Sequence, residues 1–276
     1  MISFLLAGAA AAMAPAELEP QPVTIGEAYT LEAVGAERAV NVILPPDYAV
    51  EPDRRWPVVY MLDGAITQDL MIGVGLMRWG ALWGRSRDAI VVGIETKDRQ
   101  RELLPPTGDA EERERYPTAG ERAAFRQWLA EVVKPMVEAR YRHDGTAVLV
   151  GESAAGHFVV ETWADAPAMF TGYAAISPSL QWDFEALSRR DPGDASRPPI
   201  YLSLADEGGA TESGMERLLA SLPESQAFCF SDRRTELVHA NSLHGLLPEA
   251  LQYLLATDAD WLEEYGLTLR CERRGG

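Results

Sequence analysis

A serine hydroxyl becomes a useful nucleophile only when a turn exposes it and a base takes its proton. Ser153 lies in the run Gly151-Glu152-Ser153-Ala154-Ala155-Gly156, with small residues two places to either side. That pattern suits a sharp strand-to-helix turn, because larger side chains at the flanking positions would collide with neighbouring backbone. Ala155 stands where the commoner form of the pattern has glycine, and Gly156 follows it directly. Such a turn lifts the hydroxyl above the C-terminal edge of a parallel sheet. It also sets the hydroxyl at a helix N-terminus, whose dipole favours developing negative charge. The chemistry indicated is acyl transfer through a covalent intermediate; the bland reading is a structural serine in a tight turn.

On a turn of this kind the partners follow in the order acid, then histidine. His157 lies one helical turn after Ser153 on its own helix and is held away from the hydroxyl. His239 falls between the last strand and the last helix, where the order demands the base, and His244 is five residues further on. The acid belongs after the preceding strand, where Asp206 and Glu207 are adjacent. Their side chains point in different directions, so only one can orient the imidazole, and the sequence leaves both open. Glu236, three residues before His239, is a third candidate. The oxyanion needs two backbone N–H donors. Ala154 is one; Gly64 or Ala65, in the loop after the strand ending at Leu62, is the other. Asp63 is read as shaping that loop.

The positioning elements are short apolar runs alternating with helical patterns. Thr30–Val34 and Arg38–Leu44 flank a glycine turn and read as a hairpin. Trp56–Leu62, Ala89–Ile94, Thr146–Val150, Tyr173–Ser177, Ile200–Leu204 and Ala227–Phe230 read as strands, the near-continuous ones buried on both faces. Helical stretches are read over Glu121–Tyr141, Gly156–Phe170, Ser213–Leu222 and Leu246–Ala256, with a kink or a break near Lys134 caused by Pro135. The alternation implies a mostly parallel sheet with helices on both faces and the hairpin as an antiparallel edge. The stretch Arg99 to Gly120, rich in charge, proline and glycine, reads as a long loop that could cover a pocket.

The chain has 276 residues, 47% apolar and 24% charged, which suits a single domain over 17–276. With 25 basic against 42 acidic side chains the net charge is -17. Nucleic acid and anionic membranes attract basic faces, so small molecules are the expected partners. Residues 1–16 contain a short apolar run followed by small residues, read as a signal peptide with periplasmic or secreted destination. The run is too short for stable insertion in a bilayer; a cytoplasmic protein with an alanine-rich start is the alternative. Cys229 and Cys271 lack metal-ligand or dithiol spacing, so no metal or other cofactor is expected. Whether they pair is open at this level.

From Val23 to Leu255 the chain resembles the putative-esterase family of α/β-hydrolases. That family includes esterase-D-like enzymes, siderophore esterases and feruloyl or acetylxylan esterases. The resemblance is carried by Arg38 to Val42 through Pro46-Asp47-Tyr48, Tyr60 to Gly64, Val92-Gly93-Ile94, Asp98-Arg99 and Arg101-Glu102-Leu103. It continues through Phe125 to Tyr141, Gly151 to Gly156, Ser177 to Trp182 and Glu236 to His239. It implies the α/β-hydrolase fold and hydrolysis of a small-molecule carboxylic ester, siderophore-like esters among them. Ser153, His239 and Asp206 or Glu207 would form the catalytic set, with Arg101 and Trp182 against substrate. For those two the plain alternatives are a surface ion pair and a packed indole. An acyltransferase or a non-catalytic binding protein on the same fold are the other readings, and the tail from Asp258 lies outside the resemblance.

Overall fold

A strand that is apolar along its whole length needs cover on each face, and this chain supplies it twice over. The computed structural model describes residues 20–191, 193 and 197–274. The expected signal segment, residues 1–16, lies outside the described residues. The hairpin forms as β1 (Glu27–Ala33) and β2 (Ala36–Ile43), turning through Val34 and Gly35, both at positive φ. Six mutually parallel strands follow: β3 (Trp56–Leu62), β4 (Ile90–Ile94), β5 (His143–Glu152), β6 (Gly172–Ile176), β7 (Ile200–Leu204) and β8 (Phe228–Asp232). The sheet order is β1-β2-β4-β3-β5-β6-β7-β8 with β9 (Glu272–Arg274) beyond it. β2 pairs antiparallel with β4, and β9 antiparallel with β8. This is the α/β-hydrolase arrangement, with the antiparallel N-terminal edge that the hairpin implies.

Side chains along β3 show how the two faces are filled. Val58, Tyr60 and Leu62 pack into one core with Phe125, Phe158 and Met215. Val59 and Met61 pack into the other with Leu70, Met77 and Leu247. The first face is therefore covered by α4 (Arg122–Trp128), α6 (Ala154–Asp165) and α8 (Gly209–Ser221), and the second by α1 (Leu70–Leu82) and α9 (Ser242–Leu254). No helix among the described residues is long and apolar enough to cross a membrane.

Two stretches refine the sequence reading. Around Pro135 the helix is interrupted at Lys134, and the form of the interruption is what the sequence leaves unstated. Between α4 and α5 (Lys134–Arg140) the chain widens into a π-helical turn over Leu129–Val133. The wider turn absorbs the missing proline N–H and the clash of its ring with the preceding turn. The stretch Arg99 to Gly120 is not irregular throughout. It holds α2 (Arg99–Leu103) and α3 (Ala110–Arg115), each capped by an aspartate: Asp98 accepts from the Arg101 amide and Asp109 from the Glu111 amide. Helices of five or six residues rest on their caps and show no apolar period. α1 occupies a stretch where Gly73, Gly75 and Gly80 interrupt any clear helical pattern.

Cys229, buried in β8, is disulfide-bonded to Cys271, 42 residues on, and the bridge delivers the tail to β9. Closing a loop of that length stabilises by about 2–4 kcal/mol. Reduction should therefore lower the urea midpoint by a corresponding amount, and Cys271→Ser should match the reduced wild type in the absence of reductant.

Candidate active site

β5 ends at Glu152 and α6 begins at Ala154, leaving Ser153 alone between them at φ 59°, ψ -119°. A non-glycine residue persists in that region only where its surroundings over-determine it. The surroundings here are backbone bonds on both sides. The Ser153 amide donates to the Ile176 carbonyl (3.0 Å), and the Ser153 carbonyl accepts from the amides of His157 (2.9 Å) and Ser179 (3.0 Å). The turn doubles back so tightly that a Cβ on Gly151 would lie 2.6 Å from the Ala155 carbonyl. The methyl at Ala155 is thus accommodated by having none at Gly151.

Beside Ser153 stands a second hydroxyl: Ser179 Oγ is 3.3 Å from Ser153 Oγ. His157 is fully buried and its Nδ1 bonds the Ser179 carbonyl at 2.9 Å, holding that loop rather than the Ser153 hydroxyl. Burial pushes its pKa down, which favours the neutral ring. Nothing in the serine pattern announces Ser179; the loop Ser177-Pro178-Ser179 has to be folded back from β6 before the hydroxyls meet.

A backbone bridge separates the two adjacent carboxylates. The Asp206 amide donates to the Leu237 carbonyl (2.9 Å), and Asp206 pairs with Val238 in an isolated parallel bridge. This contact draws the loop after β7 to the loop carrying His239. Extended residues alternate sides, so Asp206 faces solvent while Glu207 turns inward, its carboxylate 2.8 and 2.9 Å from His239 Nδ1. Glu207, not Asp206, is the partner of His239. Its hydrogen bond holds the imidazole above the usual histidine range, against the opposing effect of burial. With Nδ1–H donated to Glu207, Nε2 is the acceptor in the neutral ring. His244 is exposed on α9, and Glu236 pairs with Arg270.

Ser153 and His239 line one cleft of about 340 Å³, together with Asp63, Gln68, Asp69, Arg99 and Glu152. Ala154 opens α6, so its N–H is among those a helix leaves without an internal partner. Both amides named for the second donor have partners in the structure. The Gly64 amide is spent on the Ile94 carbonyl (2.8 Å), because the chain continues the ladder with β4 one step past β3. The Ala65 amide donates to Gln68 Oε1 (3.0 Å). The cationic donor in the cleft is Arg99, whose Nε bonds Asp63 (2.8 Å) and whose Nη2 bonds the Glu152 carbonyl (3.0 Å). Its Nη1 is not used by these contacts.

Arg99 is held from both ends. Asp63, buried and at φ 52°, also accepts from the Thr96 hydroxyl. Behind α2, Glu102 accepts from the amides of Lys97 (3.0 Å) and Asp98 (3.2 Å) and forms a buried pair with Arg38 of β2 at 2.7 Å. The other two expected substrate contacts lie elsewhere. Arg101 pairs with Glu121 at the surface, on the far side of the α2 turn from Arg99. Trp182 is buried, donates from Nε1 to the Pro105 carbonyl (3.0 Å) and packs against Tyr116. It pins the segment between α2 and α3 and lines a separate cleft of about 500 Å³ beside α3. The turn it opens, α7 (Trp182–Glu185), has Asp183, Phe184 and Glu185 all at positive φ.

A histidine held above its unfolded pKa stabilises the fold fully below about pH 6.5 and ceases to do so as pH rises through its folded value. The ring is half exposed, so the effect on stability is small. A direct titration by NMR should place the His239 pKa above 6.5. Glu207→Gln should lower it, and Asp206→Asn should leave it where it is.

The profile of the Putative esterase family matches residues 32–215. Ferri-bacillibactin esterase BesA of Bacillus subtilis is 27% identical over 176 residues, a stretch covering 57% of this chain and 59% of that protein. An IroE-like serine hydrolase from Shewanella oneidensis superposes with a TM-score of 0.71 at 22% identity, over 83% of this chain and 80% of its own. A siderophore hydrolase from Aspergillus nidulans, EstA, gives 0.69 at 19% identity, over 87% and 97% of the two chains.

Proposed function

The chain belongs to the Putative esterase family, and on that footing we propose that it is a serine carboxylic-ester hydrolase working through an acyl-enzyme. One observation carries the reading: the Glu207–His239 pair opens on the same cleft as the strained Ser153. In this mechanism His239 Nε2 takes the Ser153 proton as Oγ attacks the ester carbonyl. Glu207 holds the ring in the tautomer that leaves Nε2 free and stabilises the imidazolium. The Ala154 amide and the Arg99 guanidinium meet the developing oxyanion. His239 then gives its proton to the departing alcohol, and water attacks the acyl group by the reverse of the same steps.

The relatives named for siderophores support a small-molecule ester of that kind as substrate. The protein is proposed to act in the periplasm or outside the cell. The Cys229–Cys271 bridge supports this, because such bonds persist in oxidising compartments, and so does the apolar start of the chain.

A fluorophosphonate probe should label the intact protein once, at Ser153. Ser153→Ala should abolish labelling and lower hydrolysis of a short p-nitrophenyl ester at least about a thousandfold. Folded wild type that stays unlabelled would overturn the mechanism. Arg99→Gln should cost about a hundredfold in kcat if the guanidinium meets the oxyanion. A change confined to KM would instead assign Arg99 to ground-state binding.

A further inference from the structure

Among the charged side chains that line the cleft, one carboxylate stands without a hydrogen-bond partner among the described residues. Asp63 is engaged by Arg99 and Thr96, Arg99 by Asp63 and the Glu152 carbonyl, and His239 by Glu207. Glu152 accepts from the Ser242 hydroxyl and the Leu243 amide, capping α9 across the cleft. Asp69 differs. Its amide bonds the Asp63 carbonyl (2.8 Å), but its carboxylate has no hydrogen-bond partner among the described residues and faces the cleft with Ser153 and His239.

An unpaired, half-buried carboxylate is unfavourable, and here other charges make it more so. Burial first, then the carboxylates of Asp63 and Glu152, push Asp69 up to about 6, with Arg99 opposing them. Arg99 does not neutralise the group, because its charge is already matched by Asp63 at 2.8 Å. The groups facing Asp69 are thus Asp63 from the β3 loop, Glu152 from β5, Arg99 from α2 and His239 from the loop before α9. Above pH 6 the unmatched charge at the nucleophile is negative. A ligand bringing a positive charge would satisfy Asp69; one bringing a carboxylate would add a further repulsion.

We propose that Asp69 is a specificity-determining residue which selects esters carrying a protonated amine a few atoms from the reacting carbonyl. This deepens the esterase reading and rests on it. Ionised Asp69 pairs with the substrate ammonium while Ser153 attacks, so the preference develops as pH rises through about 6 and is fully present by pH 8.

The test compares three naphthyl esters of the wild-type protein's turnover, each corrected for its rate with hydroxide: β-alanyl (cationic), butyryl (its neutral isostere) and hemisuccinyl (anionic). At pH 8 kcat/KM for the cationic ester should exceed that for the neutral one about tenfold, with the anionic ester lowest. The cationic-to-neutral ratio should fall toward one below pH 6. Because both esters share His239, its titration cancels in the ratio, as does any loss of folded protein. Asp69→Asn should bring the ratio within about twofold of one, and Asp69→Glu should restore a preference. A wild-type ratio at or below one, or a ratio unchanged in Asp69→Asn, would overturn the proposal. Those outcomes with labelled, butyryl-cleaving enzyme sink Asp69 alone; absence of both labelling and cleavage sinks the esterase reading and this with it.

Discussion

The structure turns on one strained residue. Ser153 holds a backbone conformation costing about 1–3 kcal/mol, and it does so because β5, β6 and α6 fix the chain on either side. The Ile176 carbonyl at the end of β6 receives its amide, so Ser153 is aligned by the same register that aligns the central strands. From that point the other parts follow. The loop after β6 must fold back to set Ser179 against Ser153, and the loops after β7 and β8 must meet to bring His239 to the cleft. A rigid parallel sheet covered on both faces is what allows loops from five strands to converge on one hydroxyl.

The parts legible in the sequence are those fixed by local pattern. Buried strands such as Trp56–Leu62 show as unbroken apolar runs, and Ser153 shows as small residues around a serine after one of them. Chain order points to His239 with His244 as the alternative, and only the fold, which sets His239 against Glu207, separates the two. The choice between Asp206 and Glu207 is not legible either, because it depends on a bridge to Val238 that no spacing encodes. Arg99 and Arg101 present a similar limit. Two residues apart on a helical turn they point some 200° apart, roughly, and which one faces inward depends on where Glu102 docks. The amides of Gly64 and Ala65 carry no side-chain signal of whether β4 or Gln68 has already claimed them.

The route from Arg38 to the cleft shows how a distant edge contributes. Arg38 sits on β2, enclosed by Phe125 and Trp128, and its pair with Glu102 is fully buried. Removing one partner of such a pair typically costs about 3–5 kcal/mol, since the other charge is left unmatched. Glu102 also organises the amides that start α2. The N-terminal hairpin is therefore part of what orients Arg99, even though no residue of it lines the cleft.

The bridge from Cys229 to Cys271 has a consequence for solubility as well as for folding stability. Open parallel sheets end in a row of unpaired N–H and C=O groups, a template on which another chain can polymerise. At β8 that row is occupied by only three residues of β9, and these are held there by the sulfur linkage. A short basic strand such as Glu272–Arg274 has little affinity of its own for the edge. A chain whose bridge has not closed would carry a naked margin along β8, and nascent molecules would be self-adhesive until oxidation seals it.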